Sequence, residues 1–441
     1  MLMFYFGNKQ LVETITLLLL LCPFISIAQA PRPNIIYIMA DDLGYGDLSS
    51  YGRKDYTTPN LDKLASQGVK FMNAYAGAPM CTPTRASFMT GRYPARTPVG
   101  LFEPLVPKDS LHGLSNEYTS IASLLKNAGY TTHLIGKWHL GFLPAMSPTQ
   151  NGFDEFFGFH SGATDYVSHN NPTGQPDLYE NEKPVTKEGY MTELLMEKTI
   201  AILRRPHTKP FFISLMFSAP HWPWQGPGDK PYPLGREKWE QGGSTEKYAA
   251  MVKSIDDAVG NILNVLEEEK LSRNTVIIFT SDNGGEKFSN MGIYQKAKFH
   301  LWEGGIRTPA IIWWPGKIPA NTVTQQVAIT MDWTATILAL AKAKPDKKFP
   351  LDGIDLMPVC TARQKPIKRT LYWRVSQRNQ QKAIRDGEWK YLKDEQGEYL
   401  FNLEKDPDEK SDLREKEKVI FSRLKQKYSD WEKTVLQPIP R

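Results

Sequence analysis

Cysteine is scarce, with three among 441 residues, at positions 22, 81 and 360. So few leave no room for a disulfide framework. Charge of one sign is also missing: 54 Lys and Arg against 48 Asp and Glu give a net +6. An excess that mild suits an acidic substrate without calling for nucleic acid. Internal repeats and low-complexity linkers are absent, and with 23% charged and 41% apolar residues a fibrous or disordered chain is excluded. The length fits one large domain with a smaller appendage.

Long apolar runs are lacking too, apart from Thr14 to Ile27, which is closed by Ala28-Gln29-Ala30 ahead of Pro31. This reads as a signal peptide over residues 1–30; the run is short for a membrane span, and the leucine before Cys22 argues against lipid attachment there. No later segment is apolar enough to cross a bilayer. Export to the periplasm or the medium is expected. Removal of the leader leaves Cys81 and Cys360, for which a mutual disulfide is the alternative to Cys360 being a free buried thiol.

What the chain does have is a recurring pattern. Asn34 to Ala40 is continuously apolar after Asn34 and runs into Asp41-Asp42. Thr131 to Gly136 runs into Lys137-Trp138-His139, Pro210 to Ser218 into Ala219-Pro220-His221, and Thr275 to Thr280 into Ser281-Asp282-Asn283-Gly284-Gly285. Runs without alternation read as strands covered on both faces. Helical spacing fills the intervals at Leu61 to Gly68, Thr119 to Ala128, Tyr190 to Arg204 and Lys247 to Glu269. Alternation of this kind predicts an α/β fold with a large, mostly parallel sheet flanked by helices. Ligands bind beyond the carboxyl ends of such strands, and here four strands end in polar or ionisable residues. From about 364 the character changes to short strands with turn signals and a charged helix from about 412 to 435, a smaller α+β subdomain. The expected division is 31–363 and 364–441.

Adjacent carboxylates after a buried strand are costly unless a cation neutralises them. Asp41, Asp42, Asp282 and Asn283 offer oxygen donors with no nearby Cys or His, which suits calcium or magnesium rather than zinc. Taken alone, either pair reads first as turn-forming residues; both pairs at strand ends reverse that preference. Lys137 and His139, two apart, face one side of an extended backbone. His221 and Lys298 add charge from elsewhere, and Lys298 precedes Glu303-Gly304-Gly305-Ile306-Arg307-Thr308-Pro309, a glycine-rich turn that permits close backbone approach.

The stretch Cys81-Thr82-Pro83-Thr84-Arg85, with Gly91-Arg92 downstream, places Cys81 just before a helix with Thr82 as its N-cap and Gly91 as its end. Cys81 there is either a nucleophile facing an anion, with Arg85 sharing the charge, or an ordinary buried cysteine. The C-x-P-x-R pattern resembles the signature of the formylglycine-dependent, type I sulfatases. Six motifs in the family's order carry the resemblance: Asn34 to Gly46, the Cys81 stretch, Gly136 to Gly141, Pro220-His221, Ser281 to Gly284, and Lys298 to Pro309. It implies an alkaline-phosphatase-like sheet, and calcium held by Asp41, Asp42, Asp282, Asn283 and the modified Cys81. A maturation enzyme would convert Cys81 to formylglycine, whose hydrate is the nucleophile. Arg85 would support that hydrate, with Lys137, His139, His221 and Lys298 around the sulfate.

Trp222 and Trp224 after His221 suggest stacking on sugar rings, with loop packing as the alternative. The resemblance is to bacterial polysaccharide sulfatases, notably those acting on marine galactans such as carrageenan, and a sulfated oligo- or polysaccharide is the expected substrate. Arg96, His160, Asp165, His169, Arg374 and Arg378 are further candidate sugar contacts. A glycosaminoglycan N-acetylhexosamine sulfatase, a phosphonate or phosphate ester hydrolase of the same superfamily, and a non-catalytic carbohydrate-binding protein are the alternatives.

Overall fold

In the computed structural model, which describes residues 32–106, 109, 111–142 and 144–439, the apolar run after Pro33 becomes strand β1 (Asn34–Ala40), buried along its whole length. The expected signal peptide lies outside the described residues. In chain order there follow β2 (Val69–Tyr75), β3 (Thr131–Lys137), β4 (Glu155–Phe159), β5 (Tyr179–Glu180), β6 (Lys183–Pro184), β7 (Phe211–Met216), β8 (Thr275–Ser281), β9 (Ala310–Trp313) and β10 (Thr322–Ile329). Among the described residues these form a ten-stranded sheet in the order β10-β2-β9-β8-β1-β7-β3-β4-β5-β6.

The four strands expected from the sequence lie side by side as β8-β1-β7-β3, and every pairing among them is parallel. Their carboxyl ends therefore emerge together along one edge. β9 runs against its neighbours β8 and β2, and β5 against β4. Five strands of this sheet escaped the sequence reading: the two-residue β5 and β6, and β2, β4 and β10. β2 breaks its apolar run with Lys70 and Asn73, β4 is short and contains Gly158, and β10, at the sheet's edge, turns Val323 and Gln325 to solvent. The four expected helices are present as Pro59–Gln67, Ile121–Asn127, Met191–Leu203 and Thr245–Glu268. Two apolar clusters cover the two faces of the sheet, the first holding Ile36, Ile38, Ile213 and Leu215, the second Ile35, Tyr37, Phe212 and Ile278.

The C-terminal segment forms an antiparallel sheet of β11 (Thr370–Arg374), β12 (Lys382–Asp386), β13 (Trp389–Lys393) and β14 (Glu398–Asn402) in sequence order. Its helix, Lys418–Glu432, starts later than expected, because the Asp412 carboxylate is used to receive Leu400 N–H and Arg414 N–H in a turn. One apolar cluster joins Trp373, Leu392 and Phe401 of this sheet to Tyr75, Met80 and Leu301 of the larger part. Buried charge crosses the same boundary: Glu303 accepts from Tyr75 Oη at 2.6 Å, Arg307 Nε at 2.7 Å and Lys390 Nζ at 2.8 Å, and Lys390 also pairs with Glu409 at 2.7 Å. The two sheets share one core.

Trp373 is a large apolar link between them, 1% exposed, with Nε1–H donated to Ala76 O at 2.9 Å. Trp373→Ala should lower unfolding free energy by about 3–5 kcal/mol, read from denaturant midpoints. A loss below about 1 kcal/mol would contradict the shared core.

Candidate active site

The loop leaving β1 places Asp41 and Asp42, and that leaving β8 places Asp282 and Asn283; all four are buried. Asp42 takes a left-handed backbone, φ 63°, and its N–H donates to Asp282 Oδ1 at 3.1 Å, so the two loops close on each other. Asn283 Nδ2 donates to Asp42 Oδ1 at 2.7 Å. Gly284 is required where it stands, since a Cβ there would lie 1.9 Å from Gly304 O. The expected close backbone approach is thus a contact between the two glycine-rich turns, sealed by Gly284 N–H on Gly305 O at 2.9 Å.

Three cations face these carboxylates. Lys137 Nζ, at the end of β3, lies 2.5 Å from Asp41 Oδ2; Arg85 lies 2.9 Å from Asp282 and 3.6 Å from Asp41; Lys298 Nζ lies 2.7 Å from Asp42 Oδ2. The sequence reading missed Glu286, whose Oε1 is 3.1 Å from Lys298 Nζ. Its position straight after Asp282-Asn283-Gly284-Gly285 was the available signal.

The Cys81 helix begins two residues earlier than expected, with Met80 rather than Thr82 at its N-cap position and Cys81 as its first residue, and it ends at Gly91 with φ 66°. Thr82 does not cap it. Its hydroxyl donates to His139 O at 3.2 Å and receives Leu105 N–H at 3.1 Å. Cys81 and Cys360 are free, buried thiols. The Cys81 sulfur comes within 4.8 Å of carboxylate oxygens of Asp41 and Asp282. His139 and Lys137 do not share an extended face, because His139 has φ 53° and the strand has ended. His139 still reaches the cluster, held by Nε2 on Leu105 O at 2.9 Å. His221 places Nδ1 2.7 Å from Trp222 O and Nε2 3.6 Å from Asp42 Oδ2.

Electrostatics follow from burial. It raises the Asp42 carboxyl well above its ordinary range, and burial with Asp41 beside it raises Asp282. Burial, then Lys298 and Lys137, holds His221 well below the usual imidazole value, and burial, then Lys137, does the same to His139. Burial works against a charge on Lys298, yet Asp42 and Glu286 carry its ammonium well above the ordinary value. Burial raises the Cys81 thiol, so as a thiol it is a poor nucleophile.

Contrary to the sequence expectation, His221 and Cys81 lie near these carboxylates, because the fold gathers them from separate loops; the oxygens of Asp41, Asp42, Asp282 and Asn283 still fit a hard cation. Buried oxygens Asp41 Oδ1 and Asn283 Oδ1 have no hydrogen-bond partner, an unfavourable arrangement that a calcium or magnesium ion relieves.

The candidate sugar contacts divide. Trp222 lies tilted against His221, ring centroids 4.3 Å apart, and Arg378 lies 3.8 Å over the ring of Phe299, next to Lys298. His160 receives His139 N–H on its backbone oxygen at 3.2 Å while its ring packs on Phe156 and Tyr179. Trp224 is buried against Phe288. Asp165 accepts from Val167 and Ser168 N–H, Tyr232 N–H and Gln225 Nε2, and His169 is tied to Gly189 O. Arg96 pairs with Asp352 and donates to Thr434 O; Arg374 donates to Leu436 O. These last bonds hold the end of the chain and account for both arginines without a sugar.

Fold and site together define a hydrolase of anionic esters on an alkaline-phosphatase-like sheet: oxygen donors for a cation, ringed by cations for an anion. Comparison with known proteins narrows the class. A sulfatase model matches residues 33–343, and a model of the N-sulphoglucosamine sulphohydrolase C-terminal region matches 290–434. N-acetylgalactosamine-6-sulfatase of Canis lupus familiaris is 35% identical over 385 residues, 81% of this chain and 72% of that protein. The Homo sapiens protein of the same name is 35% identical over 75% of this chain and 66% of its own length. The solved structure of Ps i-CgsB in complex with k-i-k-neocarrahexaose is 33% identical with a TM-score of 0.83, covering 92% of this chain and 94% of that one. The chain belongs to the sulfatase family of sulfuric ester hydrolases.

Asp177 fixes the turn after β4 by accepting His160 and Ser161 N–H, at 3.1 and 3.0 Å. Burial pushes its carboxyl up to about 6. A folded value above the unfolded one gives stability that is full in acid and lost as pH rises through about 6. The stability advantage of the wild type over Asp177→Asn should therefore shrink by about 2 kcal/mol from pH 4 to pH 6, measured by denaturant titration at each pH. A difference that stays flat across that window contradicts this assignment.

Proposed function

We propose that this protein is an exported sulfatase that hydrolyses sulfate esters of a sulfated carbohydrate, a galactan such as carrageenan, with Cys81 in its formylglycine form. The observation that carries the reading is the charge of the cluster. Asp41, Asp42, Asp282 and Glu286 against Arg85, Lys137 and Lys298 leave one formal negative charge, four minus three. A divalent cation turns this into one positive charge, which matches a monoanionic sulfate ester better than a dianionic phosphate monoester. A phosphate monoesterase is disfavoured on that count, though the count does not separate sulfate esters from monoanionic phosphonate esters, and the full set of ionisable groups disfavours a non-catalytic carbohydrate binder.

Asp41, Asp42, Asp282 and Asn283 would hold the calcium ion, with the modified Cys81 beside it. When bound, the ion draws charge from the ester's sulfate oxygens, while the hydrated aldehyde supplies the attacking hydroxyl. The chain's own residues move the protons. His139 donates Nε2–H to Leu105 O, so Nδ1, which has no partner, is the base. His221 donates Nδ1–H to Trp222 O, which leaves Nε2 bare. Lys298, held cationic by two carboxylates, is then the donor to the departing sugar oxygen. Arg85 and Lys137 orient Asp282 and Asp41. Cys81 is 2% exposed in the fold, so a maturation enzyme has to reach it before folding closes the site.

The named relatives support a galacto-configured substrate, two being N-acetylgalactosamine-6-sulfatases and the third a structure holding neocarrahexaose. The high structural coverage of Ps i-CgsB favours the galactan, and the 35% identity to the N-acetylgalactosamine-6-sulfatases supports the hexosamine as the second reading.

Peptide mass spectrometry of the mature protein should show an aldehyde at position 81, and sulfate should be released from sulfated carrageenan oligosaccharides in preference to N-acetylgalactosamine 6-sulfate. The reverse preference selects the hexosamine reading. Cys81→Ala should abolish release while leaving the chain folded; full activity with an unmodified thiol refutes the mechanism.

A further inference from the structure

Glu286 differs from the other acids of the cluster. Its side chain is 22% exposed, against 2% for Asp42 and 4% for the Lys298 it faces, so a ligand from solvent can reach its carboxylate. Among the described residues the 3.1 Å ion pair of Oε1 with Lys298 Nζ is its one close partner, and no hydrogen bond is donated to either oxygen. Asp42, hydrogen-bonded to Lys298 at 2.7 Å, already matches the charge of that ammonium. A second carboxylate, half used and open to solvent, is left with acceptor capacity to spare.

The backbone holds it there. Ser289 donates both N–H and Oγ–H to Glu286 O, at 3.1 and 2.5 Å, and Lys298 N–H donates to Gly285 O at 3.1 Å. Gly285 itself packs on the Asp42 loop, where a Cβ would lie 3.0 Å from Asp42 O. Lys287, next in the chain, is spent elsewhere, with Nζ donating to Gln241 O at 3.0 Å.

We infer that Glu286 is a substrate-binding residue: its carboxylate accepts a hydrogen bond from the sugar hydroxyl that neighbours the oxygen losing sulfate. The inference rests on the sulfatase reading, in which Lys298 gives its proton to that departing oxygen. An oxygen within hydrogen-bond length of Lys298 Nζ lies no more than roughly 6 Å from Glu286 Oε1. Oxygens on neighbouring carbons of a sugar ring are about one hydrogen-bond length apart, so the next hydroxyl along falls within reach of the carboxylate. The substrate class follows from the chemistry. A free hydroxyl has a proton to give to an acceptor-only carboxylate. A second sulfate at that place has none and brings like charge against it, so rings sulfated at two neighbouring positions are rejected.

The test is a double-mutant cycle between residue and hydroxyl on the full mature protein. The substrates are the methyl β-galactoside monosulfates with sulfate on O3, O4 or O6, each with free hydroxyls and as the methyl ether of the hydroxyls flanking the sulfate. The readout is the ratio of kcat/KM for the free form to that for its ether, taken on the isomer turned over fastest. Glu286→Ala should lower that ratio at least about tenfold, and Glu286→Gln, which keeps one acceptor oxygen, should retain part of it. A ratio unchanged in Glu286→Ala overturns the inference, including the case in which both forms lose activity equally, which is what a carboxylate serving Lys298 alone would give. A wild type that releases sulfate from none of them strikes the sulfatase reading instead. The contact is then decided by the Kd ratio of the same pairs on the Cys81→Ala chain, where Glu286→Ala should again lower the preference at least about tenfold. An unchanged ratio, or no binding of either form, overturns it.

Discussion

Burying three carboxylates side by side is the constraint on which this structure turns. Asp41, Asp42 and Asp282 are each 2% exposed or less, so bulk solvent does little to disperse their charge. The chain answers by sending a cation to each: Lys137 to Asp41, Arg85 to Asp282, Lys298 to Asp42. These come from separate segments, so the cluster cannot form until β1, β3, β8 and the Cys81 helix are in place. The same arrangement leaves Asp41 Oδ1 and Asn283 Oδ1 without a hydrogen-bond partner, a place that a cation would fit.

The fold exists to bring those segments to one edge. Parallel pairing of β8, β1, β7 and β3 delivers four loops to the same place, and the glycine turns at 284 and 304–305 let two of them touch. The C-terminal sheet is more than a cover. Through Trp373 and the Glu303–Lys390 pair it braces the rear of the site.

Much of this was legible in the sequence, for a physical reason. A strand buried on both faces is uniformly apolar, and polar residues at its end have few places to go, so β1, β3, β7 and β8 and their ionisable ends could be read directly. Edge strand β10 and the polar-interrupted β2 carried no such signal. Thr82 looked like a helix cap, yet its hydroxyl serves His139 and Leu105, partners that no local rule could supply. Alternation placed Lys137 and His139 on one face, but the left-handed backbone at His139 ends the strand. The sugar contacts were least legible. A surface arginine is matched by whatever the fold brings near it, and Arg96 and Arg374 met the chain's own C-terminal segment.

Calorimetric titration of the mature protein with calcium tests the central claim most directly. The account predicts saturable binding of one ion per chain that is lost in Asp282→Ala. Binding that survives Asp282→Ala unchanged, or no binding at all by the wild type, would contradict it.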